Sequence, residues 1–247
     1  YYWLPGSYPT LPGPVAAFFS GMLTKVGVYV LVRVFGTVLP HDLGGVHTLL
    51  AWLAGATMIL GVLGAISRGT IRSILSYHIL SQIGFMVLAV GLFTPLSVAA
   101  CIFYVIHHIV VKSSLFLAGN VAARLNGGDR LDRMGNLWRE APLLGVLFLL
   151  QALSLAGLPP LSGFWSKYAI LVASLEQGAY VLVAAALAAS VLTLFSMLKI
   201  WNGAFWSSPP DVAVARDEPG WGRMAAVVAA MVAVSLGVGL GAEGVFR

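Results

Sequence analysis

Residues 141–175 read APLLGVLFLLQALSLAGLPPLSGFWSKYAILVASL, a long and mainly apolar stretch with two prolines near its middle. As one straight helix it would measure about 52 Å, against a bilayer hydrocarbon core of roughly 30 Å. Pro159 and Pro160 remove backbone donors, and Gly157 and Gly163 relax the chain on either side. The pattern therefore predicts a broken membrane helix, the alternative being a proline kink that serves packing only.

The composition of the whole chain is that of a membrane protein. Charged residues make up 9% of its 247 residues, against roughly 25% in soluble domains. Hydrophobic residues make up 59%, and the mean hydropathy is +0.92. Because so few charges cannot cover a soluble surface, lipid must be the solvent for most of the chain. This excludes a soluble enzyme, a nucleic-acid-binding domain and a disordered tail, and we expect no nucleic-acid partner.

Six further apolar stretches accompany the broken one, separated by turn residues or charges. We predict an all-α integral membrane fold of seven transmembrane helices, one of them broken, in a single transmembrane domain covering residues 1–247. The predicted spans are residues 13–38, 46–66, 70–93, 96–124, 141–175, 178–204 and 222–243. The chain opens without an initiator methionine or a basic signal-peptide region, so we expect that it begins inside a longer protein.

The distribution of basic residues predicts an orientation, because Lys and Arg are retained in cytoplasmic loops. If successive loops alternate between the two faces, eight arginines fall on one face and two on the other. The eight are Arg68, Arg72, Arg124, Arg130, Arg133, Arg139, Arg216 and Arg223, and the two are Arg33 and Arg247. We therefore expect residue 1 in the cytoplasm and residue 247 outside, in a multi-pass protein of a bacterial or archaeal cell membrane.

Three of the four lysines lie well inside the predicted spans. Lys25 and Lys112 lie near the middle of the first and fourth spans, and Lys167 follows the predicted break. A lysine at the bilayer centre costs about 2.5–3.5 kcal/mol on insertion scales, which favours a functional role. Snorkelling toward the headgroups is the alternative, and it suits Lys199 near a helix end better. The nine Asp and Glu residues lie in loops or at segment ends, so an unpaired lysine could exchange protons unless another chain, or a part of the protein outside this sequence, supplies the balancing carboxylate.

Histidines extend this series. His108 stands four residues before Lys112, so both lie on one face of a helix, with His107 beside them. His78 lies in the third span, with Ser81 and Gln82 in neighbouring turns. An imidazole can pass a proton between its two nitrogens, although a membrane histidine also serves as a hydrogen-bonding partner between helices.

Metal and cofactor chemistry has little support in the sequence. The single cysteine, Cys101, allows neither an internal disulfide nor a CxxC zinc or haem motif. Adjacent His107 and His108 point in different directions on a helix, and the spans offer no carboxylate to join them. We expect no bound metal and no cofactor.

A series of motifs resembles one family of membrane transporters in order along the chain. These are Trp3-Leu4-Pro5-Gly6-Ser7-Tyr8, Leu23-Thr24-Lys25-Val26-Gly27-Val28-Tyr29, Ser81-Gln82-Ile83-Gly84-Phe85-Met86, His107-His108-Ile109-Val110-Val111-Lys112 and Gly157-Leu158-Pro159-Pro160-Leu161-Ser162-Gly163-Phe164-Trp165-Ser166-Lys167. Together they resemble the proton-conducting antiporter family. This family comprises Mrp-type multisubunit sodium/proton antiporters and the antiporter-like membrane subunits of respiratory complex I and membrane-bound hydrogenases. The similarity is greatest to the D-type subunits of the Mrp-type antiporters.

The resemblance implies a fold and a set of roles. Family members have about fourteen helices in two inverted repeats, each with a broken helix, and this chain resembles helices eight to fourteen. Lys25, His108 with Lys112, and Lys167 match the family's central hydrophilic axis. A Glu and Lys pair of the family's earlier helices would lie upstream of Tyr1. The implied partners are other membrane subunits, the lipid bilayer, and protons and sodium as transported ions.

Two functions from different classes remain open at this point, besides a purely structural scaffold that leaves the central lysines unexplained. One is a proton-moving subunit of a multisubunit sodium/proton antiporter. The other is the pumping subunit of complex I or an energy-converting hydrogenase, in which partner chains carry out the redox chemistry. Gly6 favours the antiporter, since the complex I relatives usually have Asp at that position.

Overall fold

A computed structural model of the protein describes residues 3–39, 45–207 and 220–242. Within these residues the regular structure is helical, apart from one isolated bridge between Thr70 and Arg130. The α-helices are α1 (Leu4–Ser7), α2 (Gly13–Arg33), α3 (Val46–Ile66), α4 (Ile71–Leu92), α5 (Pro95–Leu125), α6 (Leu137–Glu140), α7 (Pro142–Ala156), α8 (Ser162–Glu176), α9 (Tyr180–Trp201) and α10 (Trp221–Leu240). The predicted all-α class is confirmed.

Six of the described helices are long and apolar enough to cross a membrane. They are α2, α3, α4, α5, α9 and α10, and turns of π-helix at Val34–Val38 and Asn202–Trp206 extend α2 and α9. The remaining passage consists of α7 and α8, which have 15 residues each and are therefore only about 22 Å long. The predicted broken helix is confirmed. Residue 243 of the last predicted span, and Arg216 and Arg247 of the orientation argument, lie outside the described residues.

The break between α7 and α8 is built from local backbone signals. Gly157 adopts φ +92° directly after α7, a left-handed conformation that favours glycine. The Gly157 and Leu158 N–H groups both donate to the Leu153 carbonyl, which closes the helix end. Pro159 and Pro160 follow in the linker before α8 begins at Ser162.

Gly163 differs from the expectation, because it lies in the first turn of α8 and not in the linker. Its role is close packing. A Cβ at Gly163 would lie 1.9 Å from the Ser154 carbonyl oxygen and 3.0 Å from the His107 ring. Only glycine therefore lets α8 approach both α7 and α5 this closely.

Helix α5 lies at the centre of the bundle and contacts α2, α4, α7, α8 and α10. Helix α4 is enclosed to a similar degree and packs along α3, where glycines allow the backbones to approach. A Cβ at Gly84 would lie 2.8 Å from the Met58 backbone nitrogen, and one at Gly91 would lie 2.8 Å from that of Ala51. This arrangement encloses α4 and α5, the two helices that carry the histidines of the predicted site.

The turns at one end of the bundle are tied together by backbone and side-chain hydrogen bonds. The Ile71 N–H donates to the Asp129 carbonyl, and Arg130 donates two hydrogen bonds to Asp132, which lower the pKa of that exposed carboxyl. The Lys199 ammonium donates to the carbonyls of Ile66 and Arg68, at 2.9 and 2.6 Å. Lys199 therefore satisfies the carbonyls at the end of α3, a structural role for a residue interpreted from sequence as snorkelling.

Candidate functional site

The three lysines that the sequence places well inside the spans are buried in the bundle. Lys25 on α2, Lys112 on α5 and Lys167 on α8 have exposed fractions of 3%, 0% and 4%. No ion pair of these lysines occurs in the described part of the chain. Charged groups this deeply buried need polar partners, and the three lysines differ in the partners that they find.

Lys167 occupies the carbonyl end of the break. Its ammonium donates to the Leu155 and Ala156 carbonyls, each at 3.0 Å, and to the Ser190 hydroxyl at 3.3 Å. It also lies 4.6 Å from the centroid of the Phe85 ring. These carbonyls are among the last four of α7, which have no partner within the helix and carry its negative dipole end. The break therefore creates the polar surroundings that hold Lys167.

Lys25 and Lys112 contrast in their hydrogen bonding. The Lys25 ammonium donates to the carbonyl of Ser20 in its own helix. The Lys112 ammonium and both ring nitrogens of His108 are fully buried and have no hydrogen-bond partner in the described residues. Gln151 on α7 is also without a partner at both of its side-chain polar atoms, but Lys112 and His108 are the ionisable side chains that share one helix face in this condition, which is unusual for a purely structural feature.

His108 interacts electrostatically with all three lysines. It lies within electrostatic range of Lys25, Lys112 and Lys167, while Lys25 also acts on Lys112. His78 on α4 is fully buried and within range of Lys112 and Lys167. His107 acts electrostatically on His108 and is itself within range of Lys167, so all six predicted residues interact electrostatically across α2, α4, α5 and α8.

His107, the sixth predicted residue, points toward the break. Its Nδ1 lies 2.7 Å from the Ser162 hydroxyl, and its ring stacks on Tyr104 with centroids 5.4 Å apart. The Ser162 hydroxyl lies 3.2 Å from that of Ser154 and 3.0 Å from that of Ser235. A buried group of hydroxyls from α7, α8 and α10 therefore holds the His107 ring.

A second polar line connects α4 with α9. His78 Nε2 pairs with the Ser196 hydroxyl, and Gln82 donates to the Thr193 hydroxyl at 3.4 Å. The Tyr104 hydroxyl donates to the Gln82 side-chain oxygen, which joins this line to the His107 ring. Ser81, named with Gln82 in the motif, donates instead to the Met58 carbonyl at 2.9 Å and ties α4 to α3.

Several polar residues of this site were given no role by the sequence, although Ser162 stands within one of the family motifs. Ser154, Ser162, Ser196 and Ser235 are single hydroxyls in apolar helices, and each finds its partner on another helix. Their only hint in the sequence is a polar side chain inside an apolar span. Among the described residues no three His, Cys, Asp or Glu side chains are placed to hold a metal.

Comparison with known proteins places this architecture in a family. The family described as NADH:quinone oxidoreductase/Mrp antiporter, TM, matches residues 1–193. The chain is 44% identical to the D subunit of the Na(+)/H(+) antiporter of Alkalihalophilus pseudofirmus, covering 100% of this chain and 50% of that relative. It is 36% identical to the Bacillus subtilis protein of the same description, covering 98% and 49%. The chain thus spans about half the length of the curated relatives that it matches.

Solved structures agree with this placement. A chain of the Mrp complex from Dietzia sp. superimposes with a TM-score of 0.92 at 33% identity, covering 99% of this chain and 53% of that one. A chain of respiratory complex I from Thermus thermophilus gives 0.77 at 27% identity, with coverages of 99% and 53%. An archaeal membrane-bound sulfane sulfur reductase chain, at 24% identity and a TM-score of 0.87, shares the fold over 99% of this chain and 49% of its own. By its sequence match and its broken-helix architecture, the chain belongs to the NADH:quinone oxidoreductase/Mrp antiporter membrane family.

Proposed function

We propose that the chain forms half of a proton-translocating subunit of a multisubunit sodium/proton antiporter. It would reside in the cell membrane with residue 1 in the cytoplasm and residue 247 outside, assembled with other membrane subunits. Protons, and sodium in exchange, are the proposed transported ions. The observation that carries the proposal is that three buried lysines interact electrostatically with His108 and that none of them forms an ion pair with a carboxylate of the described residues.

The proposed proton path runs laterally through the bundle. It uses Lys25, Lys112 and Lys167, with His108 and His78 between the lysines and His107 beside the break. A relay needs groups that can both release and rebind a proton, and a lysine outside a fixed ion pair meets that condition. The unpartnered nitrogens of Lys112 and His108 favour this pair as the middle of the path, since internal water is the usual partner of such buried groups.

The helix break provides the proposed end of the path. Gly157, Pro159 and Pro160 interrupt α7 and free its last carbonyls, while Gly163 allows α8 to pack directly against them. Irregular backbone at membrane depth persists where it is buried in protein or lines a wet cavity. A proton that reaches Lys167 is therefore held beside polar backbone groups, from which it can leave the bundle.

The proposal predicts that Lys112→Ala abolishes proton-coupled sodium transport without loss of assembly. The full-length subunit would be expressed in its complex, and sodium-dependent pH changes would be measured in everted membrane vesicles. Because Lys112 is the central exchange group, we expect a loss of roughly a hundredfold or more. Subunit content of the purified complex reports assembly.

Lys199→Ala is the matched control, because it removes a lysine that bonds only the backbone at the end of α3. We expect this control to keep transport per assembled complex. Wild-type flux in an assembled Lys112→Ala complex would show that Lys112 is only structural and would end the relay proposal.

The alternative is a pumping subunit of complex I or a membrane-bound hydrogenase. The higher identity of the antiporter relatives supports the first function over this one. The gene neighbourhood separates the two. Small antiporter subunits beside the gene would support the proposal, and redox subunits with iron–sulfur motifs would contradict it.

A further inference from the structure

Gln151 on α7 is a buried amide that the proposed relay does not use. Its side chain is 1% exposed, and neither its oxygen nor its nitrogen has a hydrogen-bond partner among the described residues. Gln151 lies about 14 Å from the start of α7 at 1.5 Å per residue, well inside the membrane. An amide without a partner is costly to bury at that depth, so this side chain needs a polar group to bond.

The neighbours of Gln151 along α7 show which helix it faces. Ser154, three residues later, belongs to the group of hydroxyls that holds the His107 ring on α5. Phe148, three residues earlier, packs on Phe205 after α9, with ring centroids 5.4 Å apart. On a helix surface Gln151 lies between these two positions, and α7 packs on α5, α8, α9 and α10. Gln151 therefore faces α5, which lies between the two contacts.

Two groups on the facing side of α5 are also unpartnered. His107 Nε2 and the Ser114 hydroxyl are buried and have no hydrogen-bond partner within the described ranges. The two residues are seven positions apart and so share one face of α5. Helices α5 and α7 run antiparallel, because the turns of residues 126–141 join the end of one to the start of the other. Since Ser154 lies level with His107, Gln151 lies about 4.5 Å from that level in the direction of Ser114.

Apolar side chains separate these polar groups from the end of the bundle where α5 finishes. Val121 lies two turns beyond Ser114 on the same face of α5, and Leu144 lies two turns before Gln151 on α7. Both are fully buried in one hydrophobic cluster. At the other end, His107 Nε2 lies 3.0 Å from the position that a Cβ at Gly163 would take, beside the helix break. The polar groups between α5 and α7 therefore adjoin the proposed proton path.

We propose that Gln151 and Ser114 bind internal water against His107 Nε2, and that Gln151 is a positioning residue of the proton path. This inference rests on the proposed function. A glutamine amide supplies donors and an acceptor, and a serine hydroxyl supplies both as well. With the imidazole nitrogen, a water molecule at this position gains three hydrogen bonds, the usual number for a buried water. Nε2 is the ring nitrogen that the bond from Ser162 to Nδ1 leaves free, so this water is the group with which His107 exchanges a proton.

The test is Gln151→Met in the full-length subunit within its purified complex, a change that removes the amide and keeps the length of the side chain. We expect an aggregation temperature equal to or above that of the wild type, because an apolar group replaces an unpartnered polar one. Sodium-dependent proton flux in reconstituted vesicles should nevertheless fall roughly tenfold, with a shifted pH profile, the equivalent of about one hydrogen bond. Cryo-electron microscopy that resolves ordered water should show density between Gln151 and Ser114 in the wild type and none in the variant.

Leu147→Met is the matched control, because it introduces the same residue one turn earlier on the buried face of α7. It should keep the flux and the pH profile. A second variant tests whether both groups hold the same water. Ser114→Ala/Gln151→Met should lower the flux no further than the more severe of the two single changes.

Unchanged flux and pH profile in Gln151→Met would overturn the inference. An equal loss in Leu147→Met would assign the effect to the packing of α7 and would overturn it as well, as would a wild-type map in which Gln151 bonds protein groups alone. Lys112→Ala in the same vesicles separates these results from a failure of the proposed function. If Lys112→Ala is inactive while Gln151→Met keeps wild-type flux, the proposed function stands and this inference falls.

Discussion

Ser162 shows how a single hydroxyl can position a buried histidine. Its oxygen lies within hydrogen-bond distance of His107 Nδ1, the Ser154 hydroxyl and the Ser235 hydroxyl. The bond at one ring nitrogen decides which nitrogen of an imidazole carries the proton and which is left to exchange it. Ser162 therefore orients the His107 ring, and because its hydroxyl can either donate or accept, it can pair with Nδ1 in both tautomers.

We predict that Ser162→Ala shifts the pH dependence of transport and lowers its rate by roughly fivefold, the equivalent of about one hydrogen bond. The measurement is the pH profile of sodium-dependent proton flux in vesicles that contain the assembled complex. Ser174→Ala is the matched control, because Ser174 is equally buried on α8 and bonds only the Ile170 carbonyl of its own helix. Identical profiles for the two variants would mean that Ser162 does not position His107.

At the scale of the elements, α10 packs directly on the link between α7 and α8. A Cβ at Gly239 would lie 2.7 Å from the Ser162 nitrogen and 3.1 Å from the Pro160 oxygen. One turn earlier on the same helix, Ser235 reaches the Ser162 hydroxyl. Helix α10 thus closes the break from outside and holds the start of α8 in place.

Gly239→Ala should separate α10 from this link. We expect a loss of about 1–3 kcal/mol in stability, since overpacked backbone contacts cannot adjust at low cost, together with reduced transport. Thermal aggregation of the purified complex, followed by size-exclusion chromatography, measures the first effect. Gly237→Ala is the control, because nothing lies within 4 Å of its added Cβ and alanine favours a helix. Equal aggregation temperatures for the two variants would contradict the close packing.

The elements also show what a sequence can predict. The all-helical class follows from the length of the apolar stretches, and the break follows from Gly157 and the two prolines. Both are local properties of the sequence. Partners distant in sequence are not local. The bond between His78 and Ser196 spans 118 residues and that between Lys199 and Ile66 spans 133, and no periodicity records either one. The packing role of Gly163 is hidden from the sequence for the same reason, because it depends on Ser154 and His107 on other helices.

At the scale of the whole molecule, the basic residues of several turns gather at one end of the bundle. Arg72 donates to the Pro9 carbonyl and to Asn120, and the bridge between Thr70 and Arg130 joins the turn before α4 to the turn after α5. Arg124 and Arg223 line one cavity at this end. Pro9 lies just before the first turn of α2, so Arg33, in the last turn of that helix, lies at the opposite end of the bundle. Among the described residues, these four arginines therefore lie at one end of the bundle and Arg33 lies at the other, as expected if successive loops alternate between the two faces.

This clustering makes the orientation testable. Because loops rich in Lys and Arg stay in the cytoplasm, we predict that residues 126–140 are cytoplasmic and that the C-terminus is outside. Alkaline phosphatase and green fluorescent protein fusions at both positions of the full-length subunit should give opposite patterns, with phosphatase activity only at the C-terminus and fluorescence only in the loop. A fusion after Arg33, at the opposite end of α2, is the internal control and should match the C-terminus. The same location for the loop and the C-terminus would contradict an odd number of crossings between residue 126 and residue 247, and a reversed pattern would show that the arginine cluster does not set the orientation.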